Sequence, residues 1–196
     1  MKIIFATRNE GKVREISEML GSTGIEMISL NHFQSLPDIV EDGKSYLENA
    51  LKKARMICEF TGETVLADDS GLEVDALGGE PGIYSARYAG PQATDDDNNA
   101  KLLSKLARVP PERRQASFHC ALVLFQPEGQ YFSFEATWEG RIIDEFRGTN
   151  GFGYDPIFLS VAHNQTAAEL PPRIKNKVSH RGQAFEKLRR HLLDVK

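Results

Sequence analysis

The sequence predicts a mixed α/β fold: a long central β-sheet flanked by helices, arranged as two lobes with an active-site cleft between them, within a single domain over 1–196. Three observations carry this. Strand and helix patterns alternate through the first third of the chain, two long β-rich runs joined by a hairpin-like turn occupy the centre, and a helical pattern closes the chain.

Taken in order, Lys2 to Ala6 reads as a buried strand, and Val13, Ile16 and Leu20 recur at helical spacing until Gly21 and Gly24 stop the helix. Ser45-Tyr46-Leu47-Glu48 has the spacing of a capping box. Leu47, Ala50, Leu51, Ala54 and Cys58 continue it as an amphipathic helix ending near Gly62. A short strand, Val65 to Ala67, follows, with Asp68-Asp69-Ser70-Gly71 directly after it and a glycine that can turn the chain. Thr94-Asp95-Asp96-Asp97 resembles a helix start for Asn98 to Arg108, its acidic residues favoured by the helix dipole and Pro110-Pro111 its stop. Ala116 to Phe125 and Tyr131 to Trp138 are β-rich runs joined by Pro127-Glu128-Gly129, and Arg141 to Ile143 is a third run that would extend them into a meander. Phe185, Leu188 and Leu192 define the last helix within 183–193.

At 196 residues the chain can bury a substantial core without external staples. Cys58 and Cys120 sit in apolar segments with no CxxC partner, which favours buried thiols in a reducing, cytoplasmic compartment over disulfides or metal ligation. No stretch approaches the roughly 18 apolar residues of a membrane span, so no membrane partner is expected. A formal net charge of -4 argues against a nucleic-acid binder, so phosphate ligands would need a local cluster of cations.

Five stretches carry candidate chemistry. The Asp68-Asp69 pair suits a divalent metal, because Mg2+ takes oxygen ligands and usually only one or two carboxylates; the same residues also make an ordinary solvated turn. Thr7-Arg8-Asn9-Glu10-Gly11-Lys12 leads into a helix whose free N–H groups can receive a phosphate, or is a plain strand-to-helix turn capped by Asn9. It is not a Walker A loop, which needs GxxxxGK[ST]. Asp38, Glu41 and Asp42 form an acidic loop from which Glu41 could share a metal, against the common fate of a solvated surface; Lys52 and Lys53 lie mid-helix, one toward a cleft and one toward solvent. Gly148 to Pro156 sets Phe152 and Tyr154 among three glycines, a loop for stacking a flat base or a tight turn with Phe152 in the core. Lys175, Lys177, Ser179, His180 and Arg181 form a cationic patch before the last helix, or Ser179 merely caps that helix.

The ordered set Thr7-x-Asn9-x-x-Lys12, Glu48-Asn49-Ala50 with Lys53, Ala67-Asp68-Asp69-Ser70-Gly71-Leu72, Pro81-Gly82-Ile83-Tyr84-Ser85-Ala86-Arg87, Gly151 to Pro156 and Ser179-His180-Arg181-Gly182 spans nearly the whole chain. In that order it closely resembles the family of inosine/xanthosine triphosphate pyrophosphatases, which hydrolyse non-standard purine nucleoside triphosphates (ITP, dITP, XTP) to the monophosphate and pyrophosphate. The resemblance implies that Thr7, Arg8, Asn9, Glu10, Gly11 and Lys12 bind the triphosphate with help from Lys53, and that Ser70 also contacts substrate. It implies a Mg2+ cofactor on Glu41 and Asp69, with Asp69 as proton acceptor for the attacking water and Asp68 supporting it. Phe152, Gly153, Tyr154 and Asp155 would border the base, and Lys175, His180 and Arg181 would contact base or phosphate. It also implies a homodimer, with Pro81 to Arg87 in a structural or interface role. Two positions depart from the pattern: Arg8 stands where a small residue is common, and Pro171-Pro172-Arg173 replaces a more helical, acidic stretch before Lys175. The rival readings are a pyrophosphatase for other modified nucleotides, pyrimidines included, a non-catalytic nucleotide sensor, and a nucleic-acid module recognising modified bases in a strand, against which the lack of an extended basic stripe counts.

Overall fold

A computed structural model describes residues 2–21 and 24–194. In chain order they form β1 (Lys2–Phe5), α1 (Glu10–Leu20), β2 (Glu26–Ser29), α2 (Tyr46–Thr61), β3 (Val65–Val74), α3 (Asp95–Leu106), β4 (Gln115–Phe125), β5 (Tyr131–Ile142), β6 (Phe158–Ser160), β7 (Gln165–Thr166), α4 (Pro172–Val178) and α5 (His180–Asp194). The sheet runs β2-β1-β3-β4-β5-β6-β7 and is mixed: β1 pairs β2 and β3 in parallel, while β5-β6 and β6-β7 are antiparallel. Among the described residues no helix is long and apolar enough to cross a membrane.

Two compact units divide the chain, one holding residues through 69 with 120–136 and from 181 onward, the other 70–119 and 137–180. In the first, alternating strand residues feed two cores. Ile4, Val65, Ala67, Ala121 and Val123 pack beneath Ala50, Ala54 and Ile57 of α2. Ile3, Phe5, Leu66, Cys120 and Leu122 pack beneath Ile16 of α1 and Ala184, Phe185 and Leu188 of α5. The period of two along a strand therefore sorts these apolar side chains between two helical layers. In the second unit, Leu102 and Leu106 of α3 join Leu72, Val74, Phe118, Trp138 and Phe158 in one core.

Three elements differ from the sequence reading. β3 does not stop at Ala67 but runs on to Val74, taking Asp68, Asp69, Ser70 and Gly71 with it, so the acidic pair lies in a strand and not on a turn. The apolar pattern conceals this because two carboxylates interrupt it, and only buried ion pairs make them tolerable there. The run at Arg141 is likewise no third strand, since β5 is continuous from Tyr131 to Ile142. Gly140 within it serves close approach: a Cβ there would lie 2.5 Å from the Leu159 carbonyl oxygen. Finally, Pro171-Pro172 opens a helix, because Pro172 at the first helical position loses no intrahelical bond.

Candidate active site

Strand alternation turns Asp68 and Asp69 to opposite faces of the sheet. Asp68 follows Leu66 toward α1 and α5, and Asp69 follows Ala67 toward α2. The adjacent carboxylates consequently meet different partners.

Asp68 is fully buried and accepts from Lys12 Nζ and, at 2.7 Å, from Arg181 Nε. Arg181, 2% exposed, also donates from Nη1 to Glu15 at 2.6 Å. Burial alone would raise the Asp68 carboxyl, but the Arg181 guanidinium and the Lys12 ammonium hold it well below the ordinary carboxylate range. Asp68 therefore stays ionised at neutral pH and seats Lys12. Next to it the Cys120 thiol lies 3.6 Å from Oδ2, and burial with that anion keeps the thiol protonated.

Asp69 faces the other way. Its Oδ2 accepts from Asn49 Nδ2 at 3.3 Å, and its Oδ1 lies 3.7 Å from Lys53 Nζ. Burial pushes this carboxyl up, Lys53 and Lys12 pull it down, and the neighbouring Glu41 and Asp68 charges add to the rise, so the net shift is upward. Lys53, 6% exposed, stands 2.5 Å from Glu41 Oε1 and donates to the Asp68 carbonyl at 3.1 Å, whereas Lys52 pairs with Asp42 at the surface. One lysine of the pair faces the acidic groups and the other faces out.

The 7–12 segment turns from β1 into α1. Thr7 Oγ1 accepts the Asn9 N–H at 3.1 Å, and Asn9 Oδ1 caps α1 by accepting the Lys12 N–H at 3.1 Å. Glu10 takes a bond from Asn31, Gly11 is buried in the first turn, and Arg8 is exposed. A cavity of about 390 Å3 lies within this unit, lined by Thr7, Arg8, Leu36, Asp38, Glu41 and Lys53. Cations, a helix N-terminus and two carboxylates thus share one neighbourhood, a combination suited to phosphate together with a metal ion.

The second unit carries the aromatic and cationic set. Asp155, 3% exposed, accepts from the buried Lys175 at 2.5 Å and from the Phe152 N–H at 2.9 Å. Gly151 is required beside it: its φ is 79°, and a Cβ would lie 1.9 Å from Asp155 Oδ2. Lys175 Nζ stands 5.4 Å from the centre of the half-buried Phe152 ring. Tyr154 lies in the core, its hydroxyl bonded to the Ser85 carbonyl at 2.8 Å and kept protonated by burial. His180 is buried and stacks on Phe118 at 4.7 Å, and Ser70 is half-buried in β3. Ser85 accepts the Leu72 N–H at 2.8 Å and donates to the Gly82 carbonyl at 2.6 Å, which ties Pro81–Arg87 to β3.

Four side chains that matter here escape sequence reasoning. Glu15 sits beside core residue Ile16 and reads as a solvated neighbour, until Arg181 reaches it from 166 positions away. Asn49 lies inside a recognisable motif but gains a role only by bonding Asp69. Asp95 and Asn99 read as helix-start residues, yet both bond the backbone of Gly153.

A family model described as Ham1 family matches residues 3–191. A dITP/XTP pyrophosphatase of Geobacter sulfurreducens is 51% identical over 191 residues, covering 97% of this chain and 96% of the relative. One of Exiguobacterium sibiricum is 53% identical over 188 residues, 96% and 95% of the two chains. The solved structure of a HAM1 protein from Coxiella burnetii superposes with a TM-score of 0.89 at 44% identity, covering 99% of each chain. With a family model and relatives matched over almost its whole length, this chain belongs to the Ham1 family.

Proposed function

We propose that the protein hydrolyses non-standard purine nucleoside triphosphates, ITP, dITP and XTP, to the monophosphate and pyrophosphate, and so clears them from the nucleotide pool. The observation that carries this reading is the separation of the two aspartates: one is locked as an anion beneath Lys12, the other is raised by burial next to Lys53 and Glu41. A reaction with little covalent chemistry needs these two things, a fixed cation for the phosphates and a base for water.

Asp69 takes the proton from the water that attacks the α phosphorus. Lys12 and Lys53 offset phosphate charge, Thr7, Asn9 and the first turn of α1 orient the chain of phosphates, and Arg8, Glu10, Gly11 and Ser70 complete the contacts. Asn49 aims Asp69. Asp68 holds Lys12 in place, and Arg181 keeps Asp68 charged. Phe152 stacks on the base beside Gly153, Asp155 and Lys175, with His180 as a further contact and Tyr154 as the loop's anchor in the core.

The donor set also fits Mg2+. Glu41 and Asp69 are hard oxygen donors that flank one cationic centre, Lys53 Nζ, and among the described residues no three His, Cys, Asp or Glu side chains form a closed metal cage. Two carboxylates with the remaining positions left to water and phosphate oxygens is the usual pattern for Mg2+. Glu41 and Asp69 would hold the ion, whose charge offsets that building on the phosphoryl oxygens. The expected result of chelation is loss of turnover that Mg2+ restores; full activity in EDTA would remove the metal from this reading.

A substrate panel tests the specificity. A pocket donating to the purine 6-oxo oxygen leaves a donor unpaired against adenine, and such mismatches discriminate strongly. We expect higher kcat/KM for ITP, dITP and XTP than for ATP or GTP, with pyrophosphate and not orthophosphate released. Comparable rates on all purines would refute the specificity. Mg2+ dependence, a homodimer and a cytoplasmic location all belong to this reading, the last supported by two free, buried cysteines.

A further inference from the structure

Both backbone polar groups of Gly153 are gripped by one helix. The Gly153 N–H donates to Asp95 Oδ2 at 2.6 Å, and the Gly153 carbonyl accepts from Asn99 Nδ2 at 2.9 Å. Asp95 and Asn99 are four residues apart on α3, hence on the same face. Gly153 adopts φ 63°, so the chain reverses its course there, immediately after Phe152, and the Tyr154 hydroxyl pins the far side to Ser85. The grip therefore fixes the backbone next to Phe152, whose own N–H is held by Asp155.

Asn99 is 1% exposed, and its Oδ1 has no hydrogen-bond partner among the described residues. A half-satisfied buried amide is less favourable than an apolar side chain of the same shape, so packing does not explain an asparagine at this point. Its donor to Gly153 does. We infer that Asn99, together with Asp95, is a positioning residue for purine recognition: it fixes the Gly153 backbone and through it the plane on which a base stacks. This rests on the reading of the 152–155 loop as the base-binding element.

The experiment compares wild type with Asn99→Leu and Asp95→Ala, measuring the affinity of IMP, the affinity of inorganic pyrophosphate and the Tm. Loosening a stacking side chain that binding must then re-order is expected to weaken IMP about tenfold. Pyrophosphate, which has no base, keeps its affinity, and Asn99→Leu changes the Tm little, because it removes an unsatisfied buried oxygen but also the donor to the half-buried Gly153 carbonyl. Asp95→Asn, which retains an acceptor for the Gly153 N–H, binds IMP like wild type. Unchanged IMP affinity in both variants overturns the inference, as does equal weakening of both ligands with a lowered Tm, the mark of a merely structural role. Should Asn99→Leu fail to fold, Asp95→Ala decides alone, since Asp95 is exposed. A wild type that neither hydrolyses ITP nor binds IMP sinks the functional reading itself; a wild type that binds IMP alongside equally competent variants sinks only this inference.

Discussion

Asp69→Asn is expected to lower kcat on ITP by about 10^3-fold, the scale of losing a positioned proton acceptor, while the Tm and IMP affinity stay near wild type. The amide is isosteric and its oxygen can still accept from Asn49 Nδ2, so the local packing survives. Because Asp69 is also a proposed metal ligand, the assay is run across a Mg2+ titration. A rate that recovers at saturating Mg2+ would make Asp69 a ligand and not the base; a variant active at ordinary Mg2+ would remove it from both roles.

The second large effect falls on stability. Asp68→Asn deletes the anion between Lys12 and Arg181 and leaves two buried or half-buried cations competing for less negative charge. Removing one partner of a buried ion pair costs about 3–5 kcal/mol. For a chain of this size that corresponds to a Tm drop of roughly 6–20 °C. The same substitution alters the acid side of the stability curve. The folded-state pKa of Asp68 lies below its unfolded value, so its contribution is complete above the ordinary aspartate pKa of about 4 and is lost as pH falls through the folded value. Asp68→Asn should therefore be destabilised most at neutral pH and converge on wild type in acid. A denaturation midpoint unchanged at pH 7 would show that the network contributes no net stability.

How much of this was legible beforehand depended on the range of the interaction involved. The caps of α1, α2 and α3 could be read from Asn9, Ser45 and Thr94, because a cap is satisfied within a few residues. The path of β3 could not. Its apolar run is interrupted by two aspartates whose counterions, Lys12, Lys53 and Arg181, lie far along the chain, and only those partners make a buried acidic strand stable. Pro172 misled for a related reason: its ordinary local preference was overruled by its place at a helix start.

The sequence by itself determined the mixed α/β class, the family resemblance and the residue types of the candidate site, since these depend on periodicity and on ordered motifs. The resemblance already implied different parts for Asp69 and Asp68; only the tertiary structure decided what surrounds each of them. Neighbours in sequence, Asp68 and Asp69 are chemically alike until a strand turns them to opposite faces, where a guanidinium and an ammonium hold one down and burial raises the other. The physical reason is that a carboxylate's protonation is set by its solvation and by charges within a few ångströms, and those are brought there by the fold.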